Sequence, residues 1–209
     1  MALRQRCTAV GAALIYDEIQ CGLFRTGHMW CHSAMPVEAH PDMVTMAKPL
    51  ANGFPIGAVL MRPHIAHAIA AGDHGTTFGG GPLTCRIAHH VLGRLGEPRM
   101  KEHIDSVSTY LFERLERISE AFSDMVSAPR GRGLIAGISM RSAPWAGEVV
   151  RLARERGVLF LTAGSDAVRF VPSLIVERAH IDEAMDVLES VLLVLHSRSR
   201  GSCRRGWRR

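Results

Sequence analysis

The sequence predicts an α/β fold, because short apolar runs of strand length alternate with helical segments along the chain. Three of these runs lie early in the chain, at residues 12–16, 43–47 and 57–61. The first run ends at Asp17 and Glu18, and the second ends at Lys48. An apolar run that is closed by charge is typical of a buried strand whose C-terminal end carries function.

These charged strand ends predict a site at one edge of the sheet. If the first two strands lie parallel, Asp17 and Lys48 meet at the edge where open α/β sheets place their ligands. A lysine can form a Schiff base with a carbonyl cofactor, and a carboxylate can hold the protonated ring nitrogen of pyridoxal phosphate (PLP). On spacing alone, the alternative is a strand-end carboxylate beside an unrelated surface lysine.

Helical and loop signals continue the alternation to about residue 100. Pro63 and Gly72 mark the ends of a predicted helix, and Pro82 begins another whose apolar residues recur on one face. The intervening loop, residues 73–81, is rich in glycine and contains two threonines. Its glycines would let backbone N–H groups approach a phosphate, and threonine hydroxyls would add further donors.

Beyond residue 100 the pattern predicts a smaller α+β domain. Apolar residues recur at spacings of three and four from about Lys101 to Phe122, which predicts an amphipathic helix. Strands are predicted at 134–140, 158–161 and 168–171, and helices at 149–156 and 181–195. The domain boundaries that follow are 1–100, 101–196 and a basic tail, 197–209, that is predicted to be disordered.

Composition excludes several other classes of protein. The formal charge of +5 comes from six arginines in the tail, so no nucleic-acid-binding face is predicted. The five cysteines form no C-x-x-C pair, and the histidines lack partners at ligand spacing, so neither disulfides nor a metal site are expected. No apolar run approaches the ~20 residues of a membrane span, and no targeting segment is recognised.

The literal motifs carry a family resemblance. In order they are DEIQCG at 17–22, RTG at 25–27, AKPL at 47–50, GFPIGA at 53–58 and GDHGTTFGG at 72–80. This series closely resembles the class III PLP-dependent aminotransferases of the ornithine and acetylornithine type. The later motifs, RGRGL at 130–134 and VRFVPSL at 168–174, are most similar to the acetylornithine or succinylornithine branch.

The resemblance implies a fold-type I PLP-transferase. Residues 1–100 would be the C-terminal part of the large, mainly parallel sheet domain, and residues 101–196 would be the small α+β domain. The resemblance places Met1 inside the helix that precedes the Asp17 strand. The chain is therefore expected to be roughly the second half of a whole aminotransferase.

Four candidate cofactor residues follow from the resemblance in the first motifs. Lys48 would be the Schiff-base residue and the proton-transfer base, and Asp17 would bind the pyridine nitrogen. Ile19, expected on the same strand face as Asp17, would press against the cofactor ring, although plain core packing remains open. Gln20 would lie near the phenolic oxygen, with an ordinary capping amide as the alternative. Glu18 is expected to point to the opposite side and to be structural.

Three further candidates lie outside those motifs. Thr77 would contact the PLP phosphate of the neighbouring subunit, and Thr76 would lie near the substrate. The family often has asparagine where this chain has Gly81 before Pro82, which puts local loop detail in doubt. Arg169 would bind the substrate α-carboxylate through its planar fork, with an internal salt bridge as the alternative.

The implied activity is transfer of the terminal amino group of N2-acetylornithine to 2-oxoglutarate, by a homodimer with the PLP site at its interface. Ornithine, succinylornithine and 4-aminobutyrate remain alternative donors, because residues that choose among them lie partly upstream of Met1. A non-catalytic fragment is a second alternative, since the family's N-terminal phosphate cup and stacking aromatic are not in this sequence. The expected location is the mitochondrial matrix in a eukaryote, and otherwise the cytoplasm.

Overall fold

The computed structural model describes residues 1–203 of the 209. The chain divides into two compact units, one of residues 1–102 and one that begins at His103. Within the described residues, no helix is both long enough and apolar enough to cross a membrane.

The first unit contains a three-stranded sheet, three α-helices and three short 3₁₀ helices. The strands are β1 (Ile15–Asp17), β2 (Met43–Met46) and β3 (Ala58–Met61), and the α-helices are α1 (Ala2–Ala9), α2 (Pro63–Ala66) and α3 (Pro82–Leu95). The 3₁₀ helices span Cys31–Ala34, Val37–Ala39 and Lys48–Ala51. All three predicted strands are present, although each is shorter than the apolar run that predicted it.

The sheet of the first unit is mixed, in the order β1-β2-β3. β1 and β2 are parallel, with Asp17 opposite Thr45, which confirms the condition under which Asp17 and Lys48 reach one edge. β3 is antiparallel to β2, with Ala58 opposite Met46. The connection between β2 and β3 is too short for the helical crossover that a parallel pair requires.

The prediction that the first apolar run is a buried strand is wrong. Ile15 is 50% exposed, and of the flanking residues only Leu14 and Glu18 are buried. The physical reason is the position of β1 at the end of this sheet, where it is paired on one side only. α2 is also shorter than predicted, because residues 67–80 are exposed and offer no packing that would extend a helix.

The second unit begins within α4 (Pro98–Ala121) and contains a four-stranded antiparallel sheet. The other elements are β4 (Arg130–Arg132), β5 (Ile135–Ser139), α5 (Ala143–Glu155), β6 (Leu161–Ala163), β7 (Ala167–Phe170) and α6 (Arg178–Cys203). The strand order is β4-β5-β7-β6. β5 and β7 confirm their predictions, whereas β6 lies further along the chain than the predicted strand at 158–161.

The core of the second unit confirms the predicted helical stripes. The buried residues of α4 are Ile104, Val107, Leu111, Leu115 and Ile118. The inward face of α6 is buried at the predicted positions, Met185, Leu188, Leu192 and Leu195.

α6 continues to Cys203, so residues 197–203 are helical where a disordered tail was predicted. Once a packed helix exists, each added residue fixes its backbone at little cost, which explains the extension. The rest of the predicted tail, 204–209, lies outside the described residues.

Candidate active site

The Asp17 carboxylate lies at the C-terminal end of β1 and accepts two hydrogen bonds. The backbone N–H of Ile19 donates to Oδ1 over 3.1 Å, and the Thr45 hydroxyl donates to the same oxygen over 3.0 Å. Because both donors bind one oxygen, they orient the carboxylate without using the acceptor capacity of Oδ2. Asp17 is exposed, so the oriented carboxylate can meet a ligand.

Lys48 is brought to the same edge by the parallel pairing. Asp17 is directly opposite Thr45, and Lys48 follows three residues later, at the start of a 3₁₀ helix. The backbone φ of Lys48 is +25°, a sparsely populated region for a residue with a side chain. Such conformations concentrate at functional sites, where the surrounding structure holds them.

Lys48 follows an apolar run that is typical of a buried strand, but its own side chain is exposed. The residue stands beyond the end of β2, and the buried residues of its 3₁₀ helix are Leu50 and Ala51. The Lys48 side chain therefore takes no part in the packing of Leu50 and Ala51. The predicted role of Lys48 does not depend on burial in this chain, since the amine must be reachable by a carbonyl group.

Ile19 and Gln20 lie in a turn, not on the strand, because β1 ends at Asp17. The prediction that Ile19 shares the strand face of Asp17 is therefore wrong, since side-chain alternation applies only within a strand. Ile19 nevertheless contacts Asp17 through its backbone N–H. Both side chains are half-buried, and their proposed contacts with a cofactor remain predictions.

Glu18 is buried directly behind the site and fixes the segment that follows the turn. Its Oε2 accepts from the backbone N–H of Cys31 over 2.6 Å, and its Oε1 accepts from the backbone N–H of His32 over 3.0 Å. The His32 ring also contacts Oε1 through Nδ1, at 2.6 Å. The His32 ring stacks on Trp30 and packs edge-on against Tyr16. The expectation that Glu18 is structural agrees with this burial.

Cys21 lies in the same turn but is not activated. Burial, supported by the nearby charge of Glu18, raises the pKa of the Cys21 thiol to about 11. At neutral pH the group is therefore a protonated thiol, and the thiolate that a nucleophilic cysteine requires is scarce. This electrostatic environment disfavours cysteine catalysis at the edge where Asp17 lies.

The loop that contains Thr76 and Thr77 is exposed throughout residues 71–80. The backbone N–H of Gly79 donates to the carbonyl of Thr76 over 3.1 Å. A Cβ at Gly79 would lie 2.7 Å from the Thr76 hydroxyl, so a side chain there would require that hydroxyl to move. Phe78 is 92% exposed. The phosphate role of this loop stays a prediction.

Arg169 belongs to the second unit, where it interrupts the buried residues of β7. The neighbours Val168 and Phe170 are buried, whereas Arg169 is half-buried and lines a cavity of about 160 Å³. The rest of the cavity wall is mostly apolar, with His180 as a further polar residue. The Nε atom of Arg169 is buried and has no hydrogen-bond partner among the described residues. A buried guanidinium nitrogen of this kind favours a planar anion as its ligand.

The family model for class-III aminotransferases matches residues 1–192. The chain belongs to this family. Class III aminotransferases are PLP-dependent, and the site fits that cofactor. An oriented carboxylate suits a protonated ring nitrogen, and a lysine amine at the next strand end suits an aldehyde.

Several named relatives resemble the chain over most of its length. The mitochondrial acetylornithine aminotransferases of Neurospora crassa and Saccharomyces cerevisiae are 48% and 40% identical to it, over 90% and 93% of this chain. The crystal structure of N-acetylornithine aminotransferase from Stenotrophomonas maltophilia superposes with a TM-score of 0.82 at 34% identity, over 93% of this chain. The chain spans only 41%, 46% and 50% of these three proteins.

Sequence reasoning missed two residues of the site, Thr45 and His32. The signal for Thr45 was available, because a parallel pairing that starts at the two apolar runs places a residue of β2 beside Asp17. The signal for His32 was absent, because its contact joins a residue of a 3₁₀ helix to Glu18, the residue after β1, 14 positions away.

Proposed function

We propose that the protein acts as a PLP-dependent aminotransferase that moves the terminal amino group of N2-acetylornithine to 2-oxoglutarate. The products are the semialdehyde and glutamate. The observation that carries the proposal is the Asp17 carboxylate, oriented by Ile19 and Thr45, at the end of the strand beside the one that leads to Lys48. The choice of amino donor is supported by the names of the relatives.

The chain's own residues have distinct tasks in this proposal. Bound PLP supplies an electron sink for the electron pair that remains when a C–H bond beside the nitrogen breaks. Asp17 holds a proton on the ring nitrogen through a charge-assisted hydrogen bond. The Lys48 amine would hold the cofactor through its aldehyde carbon, with release of water, and would move a proton from and to the substrate carbon as a general base and acid. Ile19 and Gln20 line the space beside Asp17.

The second unit supplies the substrate carboxylate site in this proposal. Arg169 binds the α-carboxylate of amino donor and oxo-acid, and its unpartnered Nε supports the assignment. Residues 1–100 then belong to the cofactor-binding large domain and 101–196 to the small domain. Replacing Arg169 with lysine should raise KM for both substrates at least several-fold, because lysine cannot reproduce the bidentate fork. Unchanged KM values would assign Arg169 to structure.

The proposal includes a homodimer. Thr77 contacts the cofactor phosphate of the neighbouring subunit, and Thr76 lies near the substrate, which is consistent with their exposure on a glycine-rich loop. The ornithine aminotransferase of Toxoplasma gondii, 29% identical with a TM-score of 0.85, shows partial occupancy of PLP at its active site. The mitochondrial names of the fungal relatives support action in the mitochondrial matrix.

The two lysines of the chain, Lys48 and Lys101, allow a direct test of the site. The chain is incubated with PLP, reduced with borohydride and digested, and each lysine peptide is quantified by mass spectrometry. Preferential pyridoxylation of Lys48 is expected, and it should fall in Asp17→Asn. Equal labelling of both lysines, or preference for Lys101, would contradict the assignment.

A second candidate is a chain that contacts full-length subunits without catalysing the reaction. It is favoured by the exposed apolar residues of the first unit, among them Ile15 at 50%, Val59 at 48% and Phe78 at 92%. On this second candidate, residues 1–209 alone would retain little PLP after dialysis and form little glutamate from N-acetylornithine. Robust turnover with stoichiometric PLP would exclude this second candidate.

A further inference from the structure

We propose that Thr45 is a positioning residue for the cofactor site, because its hydroxyl fixes the Asp17 carboxylate in the orientation in which it can bind a protonated ring nitrogen. The inference rests on the proposed function, which gives Asp17 that task.

The hydrogen bond between the two side chains has a defined direction. Thr45 Oγ1 lies 3.0 Å from Asp17 Oδ1. An ionised carboxylate only accepts hydrogen bonds, so the threonine hydroxyl must donate. The backbone N–H of Ile19 donates to the same oxygen over 3.1 Å. Two donors from different directions determine the carboxylate plane, and they leave Oδ2 as the oxygen for a ligand.

Thr45 itself is held more firmly than Asp17. It lies on β2, the central strand of the sheet, where it is paired with Asp17 on one side and with Val59 on the other. Its backbone carbonyl accepts the N–H of Glu18 over 3.0 Å. The branched Cβ of threonine restricts χ1, so the hydroxyl is aimed before any ligand arrives. Thr45 therefore anchors both Asp17, the last residue of β1, and Glu18, the residue that follows it.

Asp17 needs this support because it is exposed at the end of an edge strand. An exposed aspartate with no fixed partner can exchange among χ1 rotamers, and its terminal torsion is broad, so its carboxylate samples many orientations. A functional carboxylate must be held within about 10–20° of its productive geometry, and neighbouring hydrogen bonds normally do this. The register that places Asp17 opposite Thr45 provides such a bond from a rigid strand.

The test compares Thr45→Val, which keeps the branched shape and removes the donor, with Thr45→Ser, which keeps the donor. Thr162→Val is the matched control, since Thr162 is an exposed strand threonine of β6 in the second unit. For each chain, PLP is titrated, trapped with borohydride and quantified at Lys48, with Lys101 as the internal reference. A second readout, the three-bond NMR couplings of Asp17, reports its χ1 rotamer without any cofactor.

Thr45→Val should weaken PLP binding at Lys48 by about 3- to 10-fold, the range expected for one lost hydrogen bond. The Asp17 couplings should change from a single rotamer to an average. Thr45→Ser should keep both the PLP affinity and the single Asp17 rotamer. Thr162→Val should behave as the unsubstituted chain does, and the Lys101 signal should not change. Unchanged affinity together with a single Asp17 rotamer in Thr45→Val would overturn the proposal.

The two hypotheses fail in different ways. If Lys48 and Lys101 are labelled alike in the unsubstituted chain, the proposed function is contradicted. In that case the couplings alone decide whether Thr45 orients Asp17, because they require no cofactor. If Lys48 is preferred but Thr45→Val behaves as Thr162→Val does, only the role of Thr45 is lost.

Discussion

Replacing Glu18 with alanine should destabilise the first unit by about 3–5 kcal/mol, because it removes a buried carboxylate that three donors share. The Glu18 carboxylate is 3% exposed and accepts from two backbone N–H groups and from the His32 ring. Alanine leaves these three donors without their acceptor, and a buried unsatisfied donor costs about 1–3 kcal/mol. Cys31 is half-buried, so water can replace part of its bond, which keeps the total below the simple sum.

Glu18→Gln should cost less, about 1–3 kcal/mol, because glutamine keeps one acceptor. Its oxygen would occupy the position of Oε1, which accepts two of the three bonds. Its NH₂ group would then face the N–H of Cys31, so two donors would meet. The matched control is Glu38→Ala, because Glu38 is an exposed carboxylate of the same unit.

Urea unfolding followed by Trp30 fluorescence would measure the effect, since Trp30 stacks on His32 with ring centroids 6.4 Å apart. Replacing the other two tryptophans, Trp145 and Trp207, with phenylalanine isolates this signal. Hydrogen exchange of the Cys31 and His32 amides adds a local readout, because both donate to Glu18. If Glu18→Ala lowers the free energy of unfolding no more than Glu38→Ala does, and both amides stay protected, the reasoning is refuted.

Three further outcomes follow from particular contacts. With its pKa raised to about 11, Cys21 should react with iodoacetamide more slowly than exposed Cys85 at pH 8 and gain rate up to about pH 11; equal rates at pH 8 would contradict this. An arginine hydrogen bond lowers the pKa of buried Asp42, so its stabilisation is complete above the unfolded pKa of about 4 and is lost as pH falls through the lower folded value. Urea unfolding at pH 2–7 should therefore show a weaker acid dependence in Asp42→Asn, and an identical dependence would exclude the contribution. Gly131→Ala should destabilise the second unit by more than about 1 kcal/mol in thermal unfolding, because its φ is +133° and a Cβ would lie 2.2 Å from a backbone oxygen of β5. Gly147→Ala, in an open position of helix α5, should be neutral or stabilising.

The elements that the sequence predicted well are those that local patterns determine. The stripe of α4 and the inward face of α6 follow from helical periodicity, and the parallel pair follows from two apolar runs closed by charge. β4 was missed because Arg130-Gly131-Arg132 contains no apolar residue, and all three residues are exposed. That strand exists because its backbone pairs with β5, with Gly131 opposite Ala136, and no side-chain pattern encodes such pairing.

The candidate site was predictable in its residue types but not in its exposure. Asp17 and Lys48 were placed at one edge from the sequence, and the register of β1 and β2 confirms that placement. Burial was predicted wrongly for β1, and Lys48 is exposed although it follows an apolar run, because such a run does not reveal whether its strand lies at the edge of a sheet. The positive φ of Lys48 is likewise invisible in the sequence, since it depends on how the chain leaves β2.

Asp17 and Glu18 show how two adjacent carboxylates acquire opposite tasks. Asp17 faces solvent, and one of its carboxylate oxygens accepts two hydrogen bonds. Glu18 is buried, and its two carboxylate oxygens together accept from three donors. Thr45 connects the two, because its hydroxyl binds the Asp17 side chain and its carbonyl binds the Glu18 backbone. Removing the Glu18 carboxylate should therefore release the segment that begins at Asp17. Removing the Thr45 hydroxyl should release the Asp17 side chain alone. Stability and cofactor affinity would then respond separately to the two substitutions, which is the pattern expected when one carboxylate anchors the fold and its neighbour serves the ligand.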